Sequence, residues 1–320
     1  MTKRDSLSLP WSDLVKEAGI FFNSRTSRFE SRRDTSTKNI IGRINSPLSA
    51  ILQITRKCNM KCLFCSETEM IKDPSLEDLK IMKENLTGTP RIFLSGGEPA
   101  VRRDLDKIID LFYGSFIIGL PTNALIPDYL ISIIKEKVAF VNVGLDGPRN
   151  ITKRIRGDYD AIMRGIDKLI LSQIDISLTS VIMRSTLDSI LYTCQIADVL
   201  KANKLKLTTP VPKGRALNLP KAEYINYSEA NNLFKLIRAA KKKYGWNPKI
   251  TLTIWTPEVE GYSILIYPNG NTYAWPVYNQ KDKAMLLGNI LKDTIQDIWL
   301  NYPFKENHIN KYLGKSIFMA

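Results

Sequence analysis

The sequence predicts an α/β fold: a partial (β/α)6 barrel followed by a small C-terminal α+β unit. Three features predict it. From Leu48 onward short apolar runs alternate with longer stretches of helical period, that alternation recurs in an unbroken series, and beyond Lys213–Pro220 the rhythm changes to paired strands. Repeated strand–helix units imply parallel strands with right-handed crossovers, and about six of them fall short of the eight that close a barrel.

The runs 50–55, 91–94, 116–120, 140–145, 174–182 and 204–208 read as strands. Between them 76–86, 104–113, 127–137, 159–173 and 187–201 set apolar residues at i, i+3 and i+4 and read as helices. Residues 1–46, with Arg25, Arg28, Arg32 and Arg33 among Ser and Thr, read as a basic N-terminal extension, and 47–217 as the core domain. Residues 218–320 read as the second unit: a helix at 228–244, hairpin-like strands at 250–255, 263–267 and 271–275 around a Pro268-Asn269-Gly270 turn, and a short helix at 294–300.

Composition narrows the function. The chain of 320 residues is 44% hydrophobic and 24% charged, enough to bury a core and too apolar for global disorder. No apolar run approaches the ~20 residues of a membrane span, and no apolar h-region follows Lys3 and Arg4, so neither a membrane partner nor a secretory signal is expected. The single histidine, His308, excludes His-based triads and multi-His metal sites. Three of the four cysteines, Cys58, Cys62 and Cys65, crowd into one short segment. Bridges that close loops need thiols spread along the chain, so a reducing, cytoplasmic location with a thiolate-held centre is expected. Cys194 falls on a stretch of helical period and reads as core.

The segment Cys58-Asn-Met-Lys-Cys62-Leu-Phe-Cys65 follows the first strand. Thiolates are the preferred ligands of iron–sulfur clusters. A [4Fe–4S] cube takes four ligands, so three cysteines leave one iron open. Zinc in structural use takes four closed ligands, and this chain offers no fourth nearby.

The CxxxCxxC with Phe64 before its last cysteine is similar to that of the radical S-adenosylmethionine (SAM) superfamily. Further segments resemble the family's motifs in order and phase: Ser95-Gly96-Gly97-Glu98-Pro99, Pro121-Thr122-Asn123, Val143-Gly144-Leu145-Asp146-Gly147-Pro148, Ile155-Arg156-Gly157 and Pro212-Lys213-Gly214-Arg215-Ala216. The resemblance implies one [4Fe–4S] cluster on Cys58, Cys62 and Cys65, with the amine and carboxylate of SAM on the open iron. It also implies contacts to SAM from Phe64, Gly96, Gly97, Glu98, Asn123, Gly144, Asp146 and Arg156. On their own, the Gly-Gly-Glu triplet reads as an ordinary strand-to-helix turn and Phe64 as a core aromatic. One departure stands out: the family usually has serine where this chain has Gly144, and Asn142 or Thr122 are the substitutes available nearby.

The segments 263–276, 287–290 and 295–299 resemble the SPASM/twitch extension of peptide-modifying members. There Ala274, Trp275 and Val277 occupy the stretch where the first auxiliary-cluster cysteine is expected, and no cysteine follows Cys194. The resemblance therefore implies the extension without its clusters, and speaks against a molybdenum-cofactor GTP cyclase.

The activity implied is reductive cleavage of SAM and hydrogen abstraction from a peptide or protein, with a flavodoxin or ferredoxin as electron donor. The alternative is rearrangement, epimerisation or dehydrogenation of a small molecule. The contrasting class is a nucleic-acid-binding module using the +14 charge and Lys241, Lys242 and Lys243; a solvated basic face explains the same charge and is preferred.

Overall fold

The structure, a computed structural model, describes residues 20–23, 28–31, 46–47, 49–255, 263–274, 285–302 and 317–319. Most of the basic N-terminal extension, together with Trp275, Val277 and His308, lies outside the described residues.

A short antiparallel pair comes first, β1 (Ile20–Asn23) with β2 (Arg28–Ser31). Then follow β3 (Ser49–Thr55), α1 (Leu76–Asn85), β4 (Arg91–Gly96), α2 (Leu105–Phe112), β5 (Ile117–Thr122), α3 (Ile131–Lys137) and β6 (Phe140–Gly144). The core continues with α4 (Arg149–Ile155), α5 (Tyr159–Leu171), β7 (Ile176–Val181), α6 (Ile190–Val199) and β8 (Lys204–Thr208). The C-terminal part supplies α7 (Tyr227–Tyr244), β9 (Lys249–Thr253), β10 (Ser263–Ile266), β11 (Asn271–Ala274), β12 (Leu286–Asn289), α8 (Ile295–Leu300) and β13 (Ile317–Met319).

Among the described residues β3 to β13 form one 11-stranded sheet in the order β12-β11-β10-β3-β4-β5-β6-β7-β8-β9-β13. Strands β3 to β9 are parallel in chain order, and β10 joins parallel to β3. The predicted six parallel strands are therefore present, with one more on each side. The reading of 250–255 as part of a hairpin is corrected: β9 pairs parallel with β8, because Ile250 and Leu252 continue the buried, helix-facing layer. The true hairpin is β10–β11, with β12 antiparallel beyond it.

Side chains alternate across this sheet. Ala50, Leu52 and Ile54 of β3, Ile92 and Leu94 of β4, and Leu205 and Leu207 of β8 all belong to the main core under the helices. Helix α2 answers from the other side with Leu105, Ile108, Ile109 and Phe112, spaced i, i+3, i+4 and i+7 and all fully buried. Each such side chain contributes about 1.5–3 kcal/mol of burial. The opposite, inner face of the sheet mixes polar side chains with apolar ones: Phe93 packs edge-on against Phe140, and Leu265 and Tyr267 pack with Ile51, Ile71 and Tyr273.

The sheet curls. Lys213, beyond the end of β8, donates to the hydroxyl of Tyr267 at the end of β10, although six steps of the strand order separate the two strands. Two local features differ from the sequence reading. Helix α4 was not anticipated, because its seven residues carry few apolar positions; it starts at Pro148, whose fixed φ of −65° suits a helix start. The helix expected from 187 begins as a 3-10 turn over Arg184–Ser189 before α6.

Candidate active site

The C-terminal ends of the parallel strands gather every predicted site residue into one region. The thiol segment leaves β3 after Thr55. Cys58 is exposed, Cys62 and Cys65 are half-buried, and none is bridged. Backbone bonds seat the loop. Leu63 N–H donates to Ile155 O at 2.8 Å, and Arg215 N–H to Cys65 O at 2.9 Å. The Arg215 Nε adds a bond to Cys62 O at 2.8 Å. Met60 N–H points at Cys58 Sγ, 3.4 Å away.

Burial pushes the Cys62 thiol up to about 11 and raises Cys58 as well, and Cys58 and Cys65 each add to the effect on Cys62. Thiols that ligate a metal centre give up their protons when it binds. Among the described residues no three His, Cys, Asp or Glu side chains stand in mutual metal-ligating reach. The fit to an iron–sulfur cluster therefore rests on the donors themselves: three unbridged, electrostatically coupled thiols on one loop, with a backbone N–H already directed at one sulfur.

The Gly-Gly-Glu turn at the end of β4 is pressed against the root of this loop. Gly97 N–H donates to Thr55 O and Glu98 N–H to Lys57 O, both at 2.9 Å. A Cβ on Gly96 would lie 2.0 Å from Thr55 O, and one on Gly97 2.2 Å from Lys57 O. The missing side chains make room for the chain's own backbone. Glu98 is 1% exposed and fully engaged. Its Oε1 accepts from Ala100 N–H at 3.1 Å and from the Thr122 hydroxyl at 2.8 Å, and its Oε2 from Asn123 N–H at 2.6 Å. Burial outweighs these bonds and pushes the carboxyl up to about 6. Glu98 thus ties the end of β4 to the end of β5. Asn123 extends the tie by donating from Nδ2 to Asn59 Oδ1 at 2.7 Å, inside the thiol loop.

The end of β6 explains the missing serine. A Cβ on Gly144 would fall 2.2 Å from Arg156 Nη1, so the guanidinium occupies that space. Arg156 pairs with the fully buried Asp146, Nε to Oδ2 at 2.6 Å and Nη2 to Oδ1 at 3.2 Å. Asp146 Oδ1 also accepts from Val181 N–H at 2.7 Å. Burial opposes the charge of Arg156, yet Asp146 holds its pKa above the ordinary value. The same guanidinium lies 5.0 Å from the Phe64 ring centroid, a cation–π contact that links β6 to the thiol loop. The suggested substitutes for serine are otherwise occupied: Asn142 exchanges hydrogen bonds with Thr179, and Thr122 serves Glu98.

Sequence reasoning missed a second polar group. Buried Arg56 donates to Gln53 Oε1 at 2.5 Å, to Glu69 O at 2.9 Å and to Glu67, and sits 5.1 Å from the Tyr267 ring centroid. Glu67 also accepts from Lys213 at 2.8 Å. Burial alone would raise the Glu67 carboxyl, but Lys213 and Arg56 hold it below the ordinary range. Burial also pushes the Tyr267 phenol well up. The only signal in the sequence was the Pro-Lys-Gly-Arg-Ala segment, whose Lys213 and Arg215 both reach the thiol loop.

The α/β fold thus sets a three-thiol loop at the C-terminal ends of its parallel strands, the end at which parallel-barrel folds place their chemistry. Residues 52–196, somewhat less than half of the chain, match the model of the Radical SAM superfamily, a family of enzymes that use a [4Fe–4S] cluster and SAM. A protein of Methanococcus vannielii named probable GTP 3',8-cyclase is 36% identical over 131 residues, 37% of this chain and 44% of that one. The chain thus spans less than half the length of this relative. Among solved structures, Streptococcus suis SuiB bound to precursor peptide SuiA superposes with TM-score 0.68 at 14% identity, covering 89% of this chain and 73% of that one. A structure of anSMEcpe with bound AdoMet and Cp18Cys peptide gives TM-score 0.62 at 16% identity, covering 82% of this chain and 81% of that one. These two show the fold alone. No helix among the described residues is long and apolar enough to cross a membrane.

Proposed function

We propose that the chain cleaves SAM reductively at a [4Fe–4S] cluster held by Cys58, Cys62 and Cys65, and abstracts hydrogen from a peptide or protein substrate during peptide maturation. When bound, cluster and SAM together supply a carbon-centred radical able to take hydrogen from positions no side-chain base can deprotonate. The observation that carries the reading is the seating of three unbridged thiols against the Gly-Gly-Glu turn at the C-terminal ends of parallel strands.

In this reading the chain's own residues bind and orient. The three thiols ligate the cluster, and Met60 N–H donates to one sulfur. Gly96 and Gly97 hold the turn beside the loop, with Glu98 and Asn123 fixing its shape. Arg156, held by Asp146, offers a cation to the SAM carboxylate from the place a serine would otherwise fill, and Phe64 offers an apolar face to the adenine. A flavodoxin or ferredoxin in a reducing cytoplasm supplies the electron. Strands β10 to β12 with α8 stand where the SPASM-like remnant was expected and would help to position the substrate.

Support for a peptide comes from the two fold neighbours, whose names include bound peptides. A small-molecule substrate is the second reading, favoured by the name of the Methanococcus relative. Anaerobic reconstitution with iron and sulfide should give the broad visible absorbance of a cluster, and dithionite with SAM should then yield 5'-deoxyadenosine. A triple Cys58/Cys62/Cys65→Ala variant should show neither; one that kept full 5'-deoxyadenosine formation would refute the reading. Salt-sensitive RNA binding by a colourless wild-type protein would favour the nucleic-acid module instead.

A further inference from the structure

The parallel strands β3 to β10 contain no Asp or Glu, whereas β4 carries Arg91, β8 carries Lys204 and Lys206, and β9 carries Lys249. On β8 the core-facing positions are Leu205 and Leu207, so the alternation of a strand turns Lys204 and Lys206 to the inner face. Lys206 stands in register between Thr179 of β7 and Thr251 of β9. Among the described residues its ammonium has no carboxylate or hydrogen-bond partner; it lies 5.5 Å from the centroid of the Trp255 ring. Burial lowers its pKa, and the charge of Arg91 lowers it further from a strand four steps away in the sheet. Two buried acids at the strand ends are already engaged: Glu98 by Thr122, Asn123 and Ala100, and Asp146 by Arg156 and Val181.

An ammonium partly withdrawn from water, with no counter-charge among the described residues, is unfavourable, and a cation kept on the wall of a barrel has a use when an anion arrives there. We propose that Lys206, with Thr251 beside it, holds an oxyanion of the substrate, a carboxylate or a phosphate, against the inner wall of the sheet. The substrate then enters with its anionic end on β8 and leaves its reacting carbon toward the thiol loop. This deepens the radical SAM reading and rests on it for the identity of the bound molecule as substrate.

The test uses the full chain, reconstituted anaerobically, titrated calorimetrically with sodium tripolyphosphate and with tricarballylate at low and high salt. At least one probe should bind saturably and more weakly at high salt. Lys206→Met should weaken that binding tenfold or more, Lys206→Arg should retain it, and Lys242→Met, on the exposed side of α7, should leave it unchanged. Preference for tripolyphosphate identifies a phosphorylated substrate, and preference for tricarballylate a carboxylate-bearing one such as an acidic peptide. The bound probe should also raise Tm in the wild type and not in Lys206→Met. If Lys206→Met does not fold, Lys206→Gln takes its place. Absence of binding by both probes, or equal binding by wild type and variant, overturns the proposal. Cluster absorbance and substrate-free 5'-deoxyadenosine are read in the same samples; their loss with probe binding intact would overturn the radical reading and leave this site standing.

Discussion

Gly144 and Arg156 act as one unit. Alanine at 144 would force the guanidinium away from a position 2.2 Å from the new carbon, and Asp146, with no exposure to solvent, would lose part of its pairing. Disturbing a buried pair in this way should cost about 3 kcal/mol. In urea unfolding, Gly144→Ala and Arg156→Ala should then be strongly non-additive, since the second removes what the first collides with. Additive effects would mean that the guanidinium does not occupy that space. Glu98 offers a pH signature. Its carboxyl rises from an ordinary 4.5 to about 6, so between those values the folded chain binds more proton there than the unfolded chain. The stability this group contributes is present below about pH 4.5 and lost as the pH climbs through about 6, a difference of about 2 kcal/mol. Glu98→Gln, which cannot ionise, should lack that slope in unfolding measured across the window. The sequence made each of these positions visible through its motifs. Their partners were invisible, because nothing in the linear order says that Arg156 folds back over Gly144 or that Glu98 is consumed by Thr122 and Asn123.

At the level of elements, the thiol loop is held from outside its own strand. Lys213 and Tyr267, one after β8 and one after β10, meet directly, and Glu67 and Arg56 join them to the loop. Lys213→Met should leave the fold intact while amides of residues 58–70 exchange with solvent at least tenfold faster in hydrogen-exchange mass spectrometry. Unchanged protection would show that the backbone bonds to Ile155 and Arg215 suffice. Helix α7 gives a control outside the thiol loop: Asn226 and Glu229 form a reciprocal capping box at its start. Asn226→Ala should cost about 1 kcal/mol in denaturant unfolding without altering cluster loading. Strands β3 to β8 were legible because one face of each is apolar at period two. Strand β9 was misread because its neighbour in sequence, β10, is a hairpin strand, and periodicity carries no information about which partner a strand chooses. Helix α4 was missed because its seven residues depend on the starting proline and on packing more than on an apolar stripe.

At the scale of the molecule, the sheet ends among the described residues at β12 on one side and β13 on the other. Strand β13 pairs antiparallel with β9, covering its free backbone groups. Removing the residues from Ile317 onward should expose that edge and raise light scattering on heating, since an unpaired strand edge templates association. Scattering equal to that of the full chain would mean that β13 does not protect the edge. Fold class was readable from the strand–helix rhythm alone. The joining of the C-terminal strands to both margins of the core sheet was not, because contacts between residues such as Ser49 and Ser263 are set by the closing of a long chain and leave no local trace.

The turn at Gly96 and Gly97 rests on the carbonyls of Thr55 and Lys57, and no thiol takes part in that contact. The cradle is consequently a product of ordinary folding and does not wait for iron. A chain stripped of its three sulfurs should purify as a well-formed, inert blank, against which every signal from the loaded enzyme can be subtracted.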